Sequence, residues 1–278
     1  MTILDKIVEK RRKDIESLKE RTTIKGLEAS NFFGTKVVSM KKYLLRPDKT
    51  GIVAEFKRSS PSKGPLNPYA SLEKVTLGYM QAGASALSIL TESSFFNGKN
   101  QDLTEARQLN FCPILRKDFI VDEWQVIETK SIGADVILLI ASILEPNETR
   151  NLAKLAKETG LEVLLEVHNK EELELHMNEH IDILGVNNRN LKTFETNIET
   201  SISLIDLIPN NVVKITESGL NSVEELEILF KAGFQGFLIG EKFMKSSNPE
   251  RQALTFMKNW MAVKETLATP YEIRNAGH

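Results

Sequence analysis

The sequence predicts an α/β protein: a closed (β/α)8 (TIM) barrel preceded by an N-terminal helical extension. Eight short apolar segments rich in β-branched residues alternate with stretches of helical periodicity, as expected for strands that are buried on both faces. The eight units span about 215 residues, close to the ~250 residues typical of this barrel. A doubly wound sheet is the structural alternative, but eight evenly spaced units without a long insertion favour a closed barrel.

The extension, residues 1–50, has no strand candidate. In its first helix, Leu4, Ile7 and Ile15 recur at helical spacing among charged residues. The helices predicted in this segment cover about 3–20, 24–29 and 40–45. We expect residues 1–278 to form a single domain in which residues 1–50 pack on the catalytic rim of the barrel.

The barrel elements follow in order from Gly51. The predicted strands are 52–56, 86–90, 113–116, 135–140, 162–166, 183–186, 212–216 and 236–239. The predicted helices are about 70–82, 100–108, 122–132, 147–158, 169–178, 199–206, 221–232 and 250–266. Gly83, Gly133, Gly160 and Gly233 each stand where a helix should end before the next strand.

Composition excludes several classes of function. The net charge of −2 gives no bulk electrostatic case for binding nucleic acid or an anionic membrane. No apolar run reaches the 18 residues of a membrane span, and the N-terminus is charged from Asp5 onward, unlike a signal peptide. The only cysteine, Cys112, excludes an intrachain disulfide and a cysteine-rich metal site. A cytoplasmic protein is therefore the expectation.

Polar residues follow most of the predicted strands at their carboxyl ends, where such barrels carry their chemistry. Glu55 and Lys57 alternate with apolar residues, so both side chains point to the same side of the first strand. This pair alone fits a buried ion pair or a strand wetted on one side as well as it fits a catalytic site. The other candidates at strand ends are Ser60, Glu92, Lys117, Glu166, Asn187, Arg189, Glu217 and Ser218.

Glycines after the last two strands indicate a phosphate site. Ser218-Gly219 and Gly240-Glu241 lie where these barrels commonly bind phosphate with backbone N–H groups and a helix N-terminus. The signal is moderate, because glycines also serve ordinary turns after strands.

Motifs along nearly the whole chain, about residues 3–262, resemble the indole-3-glycerol phosphate synthase family. The strongest is Ile52-Val-Ala-Glu-Phe-Lys-Arg-Ser-Ser-Pro-Ser62. The others are residues 3–8, 86–92 with 96–98, 115–119, 165–168, 185–191, 216–219 and 238–241. Two departures are Thr216, where the family pattern has Ser, and the tail after about Lys264.

The resemblance implies a carboxy-lyase of tryptophan biosynthesis that closes an indole ring. Its substrate, 1-(2-carboxyphenylamino)-1-deoxyribulose 5-phosphate, loses CO2 and water. By resemblance, Lys117 is the general acid for ring closure and Glu166 the acid/base group for dehydration. Glu55 and Asn187 orient and polarise the reacting centre, and Lys57 is grouped with these catalytic residues.

The resemblance also implies a set of binding residues. The substrate-binding residues would be Ser60, Phe96, Phe119, Leu138, Arg189, Glu217 and Ser218. The phosphate-binding residues would be Lys57, Gly219, Gly240 and Glu241. Which anionic group of the substrate Lys57 takes, and which Arg189 takes, stays open. No metal or organic cofactor is implied, and the expected partner is the small phosphorylated substrate alone, with a monomeric protein.

Three alternatives remain at this point. They are another phosphosugar barrel such as the preceding isomerase, a Schiff-base aldolase using Lys57 or Lys117, and a non-catalytic barrel subunit. Because Lys57 and Lys117 share one rim, their like charges and partial burial should lower the pKa of Lys117, while Glu55 and Glu166 oppose this. A lysine that stays charged but donates a proton easily is the expectation. We also expect His168 to be a loop or helix-capping residue.

Overall fold

The computed structural model describes residues 2–190 and 193–272. Leu191, the last residue of one family-like motif, and the end of the tail, residues 273–278, lie outside the described residues. Three helices precede the barrel: α1 (Ile3–Arg21), α2 (Ile24–Glu28) and α3 (Met40–Leu44). Within the described ranges, no helix combines the length and the apolar character that crossing a membrane requires.

Eight parallel strands close into a barrel in chain order, which confirms the predicted fold class. They are β1 (Ile52–Phe56), β2 (Ala86–Leu90), β3 (Ile114–Lys117), β4 (Val136–Ile140), β5 (Glu162–Val167), β6 (Ile183–Asn187), β7 (Val213–Glu217) and β8 (Gly236–Ile239). Four of them, β3, β5, β6 and β7, end one residue later than predicted. Lys117, Asn187 and Glu217 are thus the last residues of their strands, where ladder hydrogen bonds hold the backbone.

Helices connect the strands on the outside of the barrel. They are α4 (Leu72–Gln81), α5 (Asn100–Leu109), α6 (Glu123–Ser131), α7 (Pro146–Glu158), α8 (Lys170–His176), α9 (Glu199–Leu204), α10 (Val223–Ala232), α11 (Glu241–Met244) and α12 (Pro249–Glu272). The short α11 was not predicted. A two-stranded hairpin, Ser59–Ser60 with Gly64–Pro65, also escaped prediction and lies in the loop after β1.

The alternation of side chains along the strands separates two cores. Val53, Leu115, Leu164 and Ile215 belong to the apolar cluster inside the barrel, together with residues such as Leu138 and Leu238. The intervening side chains, such as Ala54 and Phe56, pack outward against the helices. Because the period is two, the residue two positions after each inner core residue also faces inward. This rule places Glu55, Lys117, Glu166 and Glu217 at the upper end of the barrel interior.

The extension contacts both ends of the barrel, which corrects the expectation that all of residues 1–50 pack on the catalytic rim. Met40 and Leu44 of α3 are buried in the cluster inside the barrel. Two carboxylates at the amino ends of strands hold this region: Asp135 accepts from Val38 N at 2.7 Å, and Glu162 accepts from Met40 N at 2.8 Å and Lys41 N at 3.1 Å. The helix α3 therefore closes the end opposite the polar strand ends.

The first helix lies at the other end. Arg11 is buried, and its Nη2 donates to Asp118 Oδ2 at 2.6 Å, directly after β3. Asp118 also accepts from Thr91 Oγ1 at 2.6 Å and Arg116 Nη2 at 3.1 Å. A buried network therefore ties α1 to the carboxyl ends of β2 and β3. That the extension and barrel fold as one domain remains our proposal.

We expect Glu162→Ala to lower the free energy of unfolding by about 2–4 kcal/mol, because it leaves the backbone N–H groups of Met40 and Lys41 unpaired next to the core. Urea unfolding followed by circular dichroism measures this. The matched control, Glu158→Ala at an exposed position of α7, should change it by less than about 0.5 kcal/mol. Equal stability of the two variants would contradict the role given to Glu162.

Candidate active site

A cavity opens at the carboxyl ends of the barrel strands, and every residue that the family resemblance assigns to the site lies on its wall. These residues are Glu55, Lys57, Ser60, Phe96, Lys117, Phe119, Leu138, Glu166, Asn187, Arg189, Glu217, Ser218, Gly219, Gly240 and Glu241. They come from all eight strands or the loops that follow them. The structure therefore brings the whole set together. The strand-end candidate Glu92 does not lie on the cavity wall; its carboxylate accepts from the backbone N–H groups of the loop after β2.

Lys117 is the centre of the polar part of the cavity. Its Nζ donates to Glu166 Oε2 at 2.7 Å and to Glu217 Oε2 at 2.8 Å. The other oxygen of Glu166 accepts from Asn187 Nδ2 at 2.9 Å. The other oxygen of Glu217 is buried and has no hydrogen-bond partner among the described residues. An ammonium group thus bridges two carboxylates in different hydrogen-bonding environments.

The pKa values of these three groups diverge. Burial alone would lower the pKa of Lys117, but the carboxylates of Glu166, Glu217 and Glu55 outweigh burial and raise it. Burial opposes the charge of Glu166 too, yet Lys117 and His168 lower its pKa to about 2. For Glu217, burial and the neighbouring charge of Glu166 outweigh Lys117 and raise the pKa to about 8. Of the two carboxyl groups, Glu217 is therefore the one that binds a proton more readily, and Glu166 the one that stays ionised.

The second lysine of the rim has its own partner, which corrects the expected pKa of Lys117. Lys57 Nζ lies 2.7 Å from Glu55 Oε1. Glu55 also accepts from Ser88 Oγ at 3.4 Å. Each lysine is therefore compensated by carboxylate, and the expectation that like-charge repulsion lowers the pKa of Lys117 is wrong. A group with a raised pKa donates only to a strong base.

Part of the cavity wall is apolar. The rings of Phe96 and Phe119 are 5.9 Å apart at their centroids, and Leu138 adds an aliphatic surface. Ile3, Leu4 and Ile7 of α1 also line the cavity. The sequence predicted that the extension packs on the rim of the barrel, but not that its side chains form part of the cavity wall. A flat aromatic group would fit such a surface.

The turns after β7 and β8 form a third region. Ser218 and Gly219 both have positive φ, +70° and +75°, so two successive residues adopt the left-handed conformation. Gly240 precedes α11, and a Cβ there would lie 2.5 Å from Glu55 Oε1. A Cβ on Gly219 would lie 2.6 Å from the Cβ of Thr196. Both glycines thus permit close approaches that a side chain would block.

Two further site residues that the sequence predicted, Arg189 and Glu241, contact each other. Arg189 donates its backbone N–H to Asn187 Oδ1 at 3.0 Å, and its Nη2 lies 3.5 Å from Glu241 Oε2. The Glu241 side chain also pairs with Lys245, so Glu241 would offer an anion only its backbone N–H. Ser60, in the hairpin after β1, has a buried Oγ without a hydrogen-bond partner among the described residues.

His168 is among the polar cavity residues that sequence reasoning did not assign to the site. Its backbone N–H donates to Glu172 Oε2 at 2.8 Å, a turn contact in keeping with the expected capping role. Its ring, however, lines the cavity, and Nε2 lies 3.6 Å from Glu166 Oε1. Its position two residues after Glu166 could have indicated this from the sequence, because side chains two residues apart in an extended segment point to the same side. Among the described residues, no cluster of His, Cys, Asp and Glu suited to a metal ion occurs.

Solved structures with a similar fold are phosphosugar-type and related barrels. The chain resembles 3-hexulose-6-phosphate synthase from Salmonella typhimurium (TM-score 0.59, 12% identity, 76% of this chain and 98% of that chain). It also resembles the tryptophan synthase alpha chain from Legionella pneumophila (TM-score 0.60, 11% identity, 83% of this chain and 98% of that chain). At such low identity these likenesses support the barrel fold alone.

Sequence comparison is far more specific. The family model for indole-3-glycerol phosphate synthase matches residues 4–256. An indole-3-glycerol phosphate synthase from Bacteroides thetaiotaomicron is 45% identical over 256 residues, covering 92% of this chain and 98% of that protein. One from Thermoanaerobacter pseudethanolicus is 38% identical over 250 residues, covering 87% and 92%. The chain therefore belongs to the indole-3-glycerol phosphate synthase family.

Proposed function

We propose that this protein is a carboxy-lyase that converts 1-(2-carboxyphenylamino)-1-deoxyribulose 5-phosphate to indole-3-glycerol phosphate, CO2 and water. The observation that carries the proposal is a lysine held between two carboxylates, Glu166 and Glu217, beside an aromatic wall and opposite two glycine-containing turns. The substrate has the three matching parts: a ketone that must be protonated, an aromatic ring and a phosphate. Family membership supports the same reaction.

Lys117 acts as the general acid in ring closure. As the aromatic carbon attacks the ketone, negative charge develops on the ketone oxygen, and the ammonium group donates a proton to it. An alkoxide is about as basic as hydroxide, whose conjugate acid has a pKa of ~15.7, so even a lysine with a raised pKa can donate. The carboxylates that raise the pKa of Lys117 also keep it charged and in place.

Glu166 acts in the dehydration that follows loss of CO2. Its low pKa keeps it ionised at neutral pH, ready to remove a proton from the carbon next to nitrogen. Asn187 fixes one oxygen of this carboxylate and leaves the other on Lys117. Glu55, paired with Lys57, helps to orient and polarise the reacting centre.

The remaining groups bind the substrate. Phe96, Phe119 and Leu138 hold the anthranilate ring, and the protonated Glu217 offers a hydrogen bond through its unpartnered oxygen. Ser60, Ser218, Lys57 and Arg189 provide donors and positive charge for the carboxylate and the phosphate. The backbone N–H groups of Gly219, Gly240 and Glu241 bind the phosphate.

The aldolase-like alternative is disfavoured by the raised pKa of Lys117, because imine formation needs a neutral amine. We further propose that the protein works as a cytoplasmic monomer without a nucleic-acid or membrane partner. The net charge of −2 and the single, buried Cys112 support this. Gel filtration with light scattering tests the monomer, and cell fractionation tests the compartment.

The assay of the proposed function is direct. The purified protein is incubated with the carboxyphenylamino-deoxyribulose phosphate, and the fluorescence of the indole product is followed. Conversion at an enzymatic rate is the expected result. A protein that binds the substrate without forming indole would instead support the non-catalytic barrel.

We expect Lys117→Ala to lower kcat by about 10²–10⁴-fold, the usual contribution of a positioned acid. Lys117→Arg should recover little, because guanidinium is a much weaker acid of a different shape. Steady-state kinetics measures both variants, and Lys154→Ala on an exposed face of α7 is the matched control. Borohydride treatment with substrate, followed by mass spectrometry, is the opposing test: a substrate-sized adduct on Lys117 or Lys57 would overturn the proton-donor role.

The two glycine turns should respond differently to alanine. In Gly219→Ala the new Cβ would clash with the side chain of Thr196. We expect this variant to raise KM about tenfold with a smaller effect on kcat, because the phosphate is bound in the ground state and the transition state alike. Gly240→Ala meets Glu55 and should lower kcat as well. Kinetics with inorganic phosphate as competitor separates the effects.

Gly160→Ala is the control for Gly219→Ala, since Gly160 also has a positive φ, +85°, and has open space around its Cβ position. It should carry the same backbone strain, about 1–2 kcal/mol, without changing KM. If phosphate competed equally well against the parent, Gly219→Ala and Gly240→Ala, these turns would not bind the phosphate.

A further inference from the structure

We infer that His168 is the residue through which the active site takes up a proton from solvent in each turnover, passing it to Glu166. The inference rests on the proposed function, because it follows from the proton balance of that reaction. It gives a role to a cavity residue that the mechanism above does not use.

The reaction consumes one proton. The substrate carboxylate leaves as CO2, and its bonding electrons stay on the ring. The ketone oxygen leaves as water, which takes two protons. One proton returns to the enzyme from the carbon next to nitrogen as the indole forms. In total, the substrate carboxylate and one proton are converted to the product, CO2 and water. The enzyme must therefore regain one proton from solvent in each cycle.

The groups that exchange protons are shielded from water. Glu166, Asn187 and Glu217 are buried, and Lys117 is enclosed between the two carboxylates. A bound substrate would cover the open side of the cavity. A titratable group that connects this cluster to the surface would allow the proton to return without complete opening of the site.

His168 makes this connection. On one side its Nε2 is buried, has no hydrogen-bond partner among the described residues, and lies 3.6 Å from Glu166 Oε1. On the other side its Nδ1 lies 3.1 Å from Glu172 Oε2. The Glu172 side chain is 18% exposed, against 5% for Glu166, so it reaches solvent. A movement of about half an ångström closes the longer gap, as catalytic contacts commonly tighten when substrate binds.

The charges around His168 suit a proton carrier. Glu172 on α8, Glu166 on β5 and Glu217 on β7 surround it, and Lys117 on β3 lies beyond Glu166. Burial opposes the charged imidazolium, but these carboxylates outweigh burial and raise the pKa of His168. The ring can therefore bind a proton near neutral pH and release it. The path runs from Glu172 through His168 to Glu166, which hydrogen-bonds to Lys117.

The test compares His168→Asn and His168→Gln with the parent. Asparagine can keep the contact to Glu172, glutamine can reach towards Glu166, and neither carries a proton across. We expect kcat to fall about tenfold or more. We expect kcat/KM to stay within about twofold, because at low substrate the free enzyme has time to regain its proton. His180→Asn, at a histidine paired with Glu179 outside the cavity, is the matched control.

Two further readouts exclude a merely structural role. Added imidazole should restore kcat of the His168 variants in proportion to its concentration. The kcat of these variants should also fall more steeply with rising pH than that of the parent, as proton donors become scarce. If kcat of both folded variants stays within about twofold of the parent, or if kcat and kcat/KM fall equally without imidazole rescue, the inference is wrong. A parent protein that forms no indole would instead refute the proposed function itself.

Discussion

A buried lysine, Lys117, is the constraint on which the rest of the site depends. An ammonium group taken out of water costs several kcal/mol unless it is paired and hydrogen-bonded, and Lys117 contacts two carboxylates. Two carboxylates leave an excess negative charge in the same small volume. The raised pKa of Glu217 makes it the easier of the two carboxyl groups to protonate, while Asn187 and Lys117 favour the ionised form of Glu166. One lysine and two side chains of the same type thus provide three groups with well-separated pKa values.

The barrel divides stability and chemistry between its two ends. At the amino ends of the strands, Asp135 and Glu162 bind backbone N–H groups of the segment that leads into α3, so these carboxylates serve the fold. At the carboxyl ends, the inward-facing Glu166 and Glu217 line the cavity for which we propose the reaction. The helix α1 reaches from the extension to this end, where Arg11 pairs with Asp118, the neighbour of Lys117. Packing of the extension thus involves the residue next to the proposed general acid.

Much of this arrangement could be predicted from sequence, because strand alternation and strand ends are local properties. The spacing of Glu55 and Lys57 correctly places both at one cavity, and the family resemblance supplies the proposed roles. The location of α3 could not be predicted, because an apolar helix face indicates that a helix packs but not where. The raised pKa of Lys117 escaped prediction for a related reason: it depends on how many carboxylates meet in space. His168 was missed because one polar residue after a strand commonly caps a helix.

The central claim is that Lys117 is charged and that one of its two carboxylate partners is protonated. Infrared difference spectroscopy of the parent protein against Glu217→Gln tests it most directly, at a pH well below 8 where Glu217 should hold its proton. We expect the parent to show the C=O stretch of a protonated carboxylic acid, the variant to lack it, and the band to disappear as pH rises through about 8. A parent spectrum in which Glu217 contributes only the bands of an ionised carboxylate at that pH would show that Glu217 does not hold the proton.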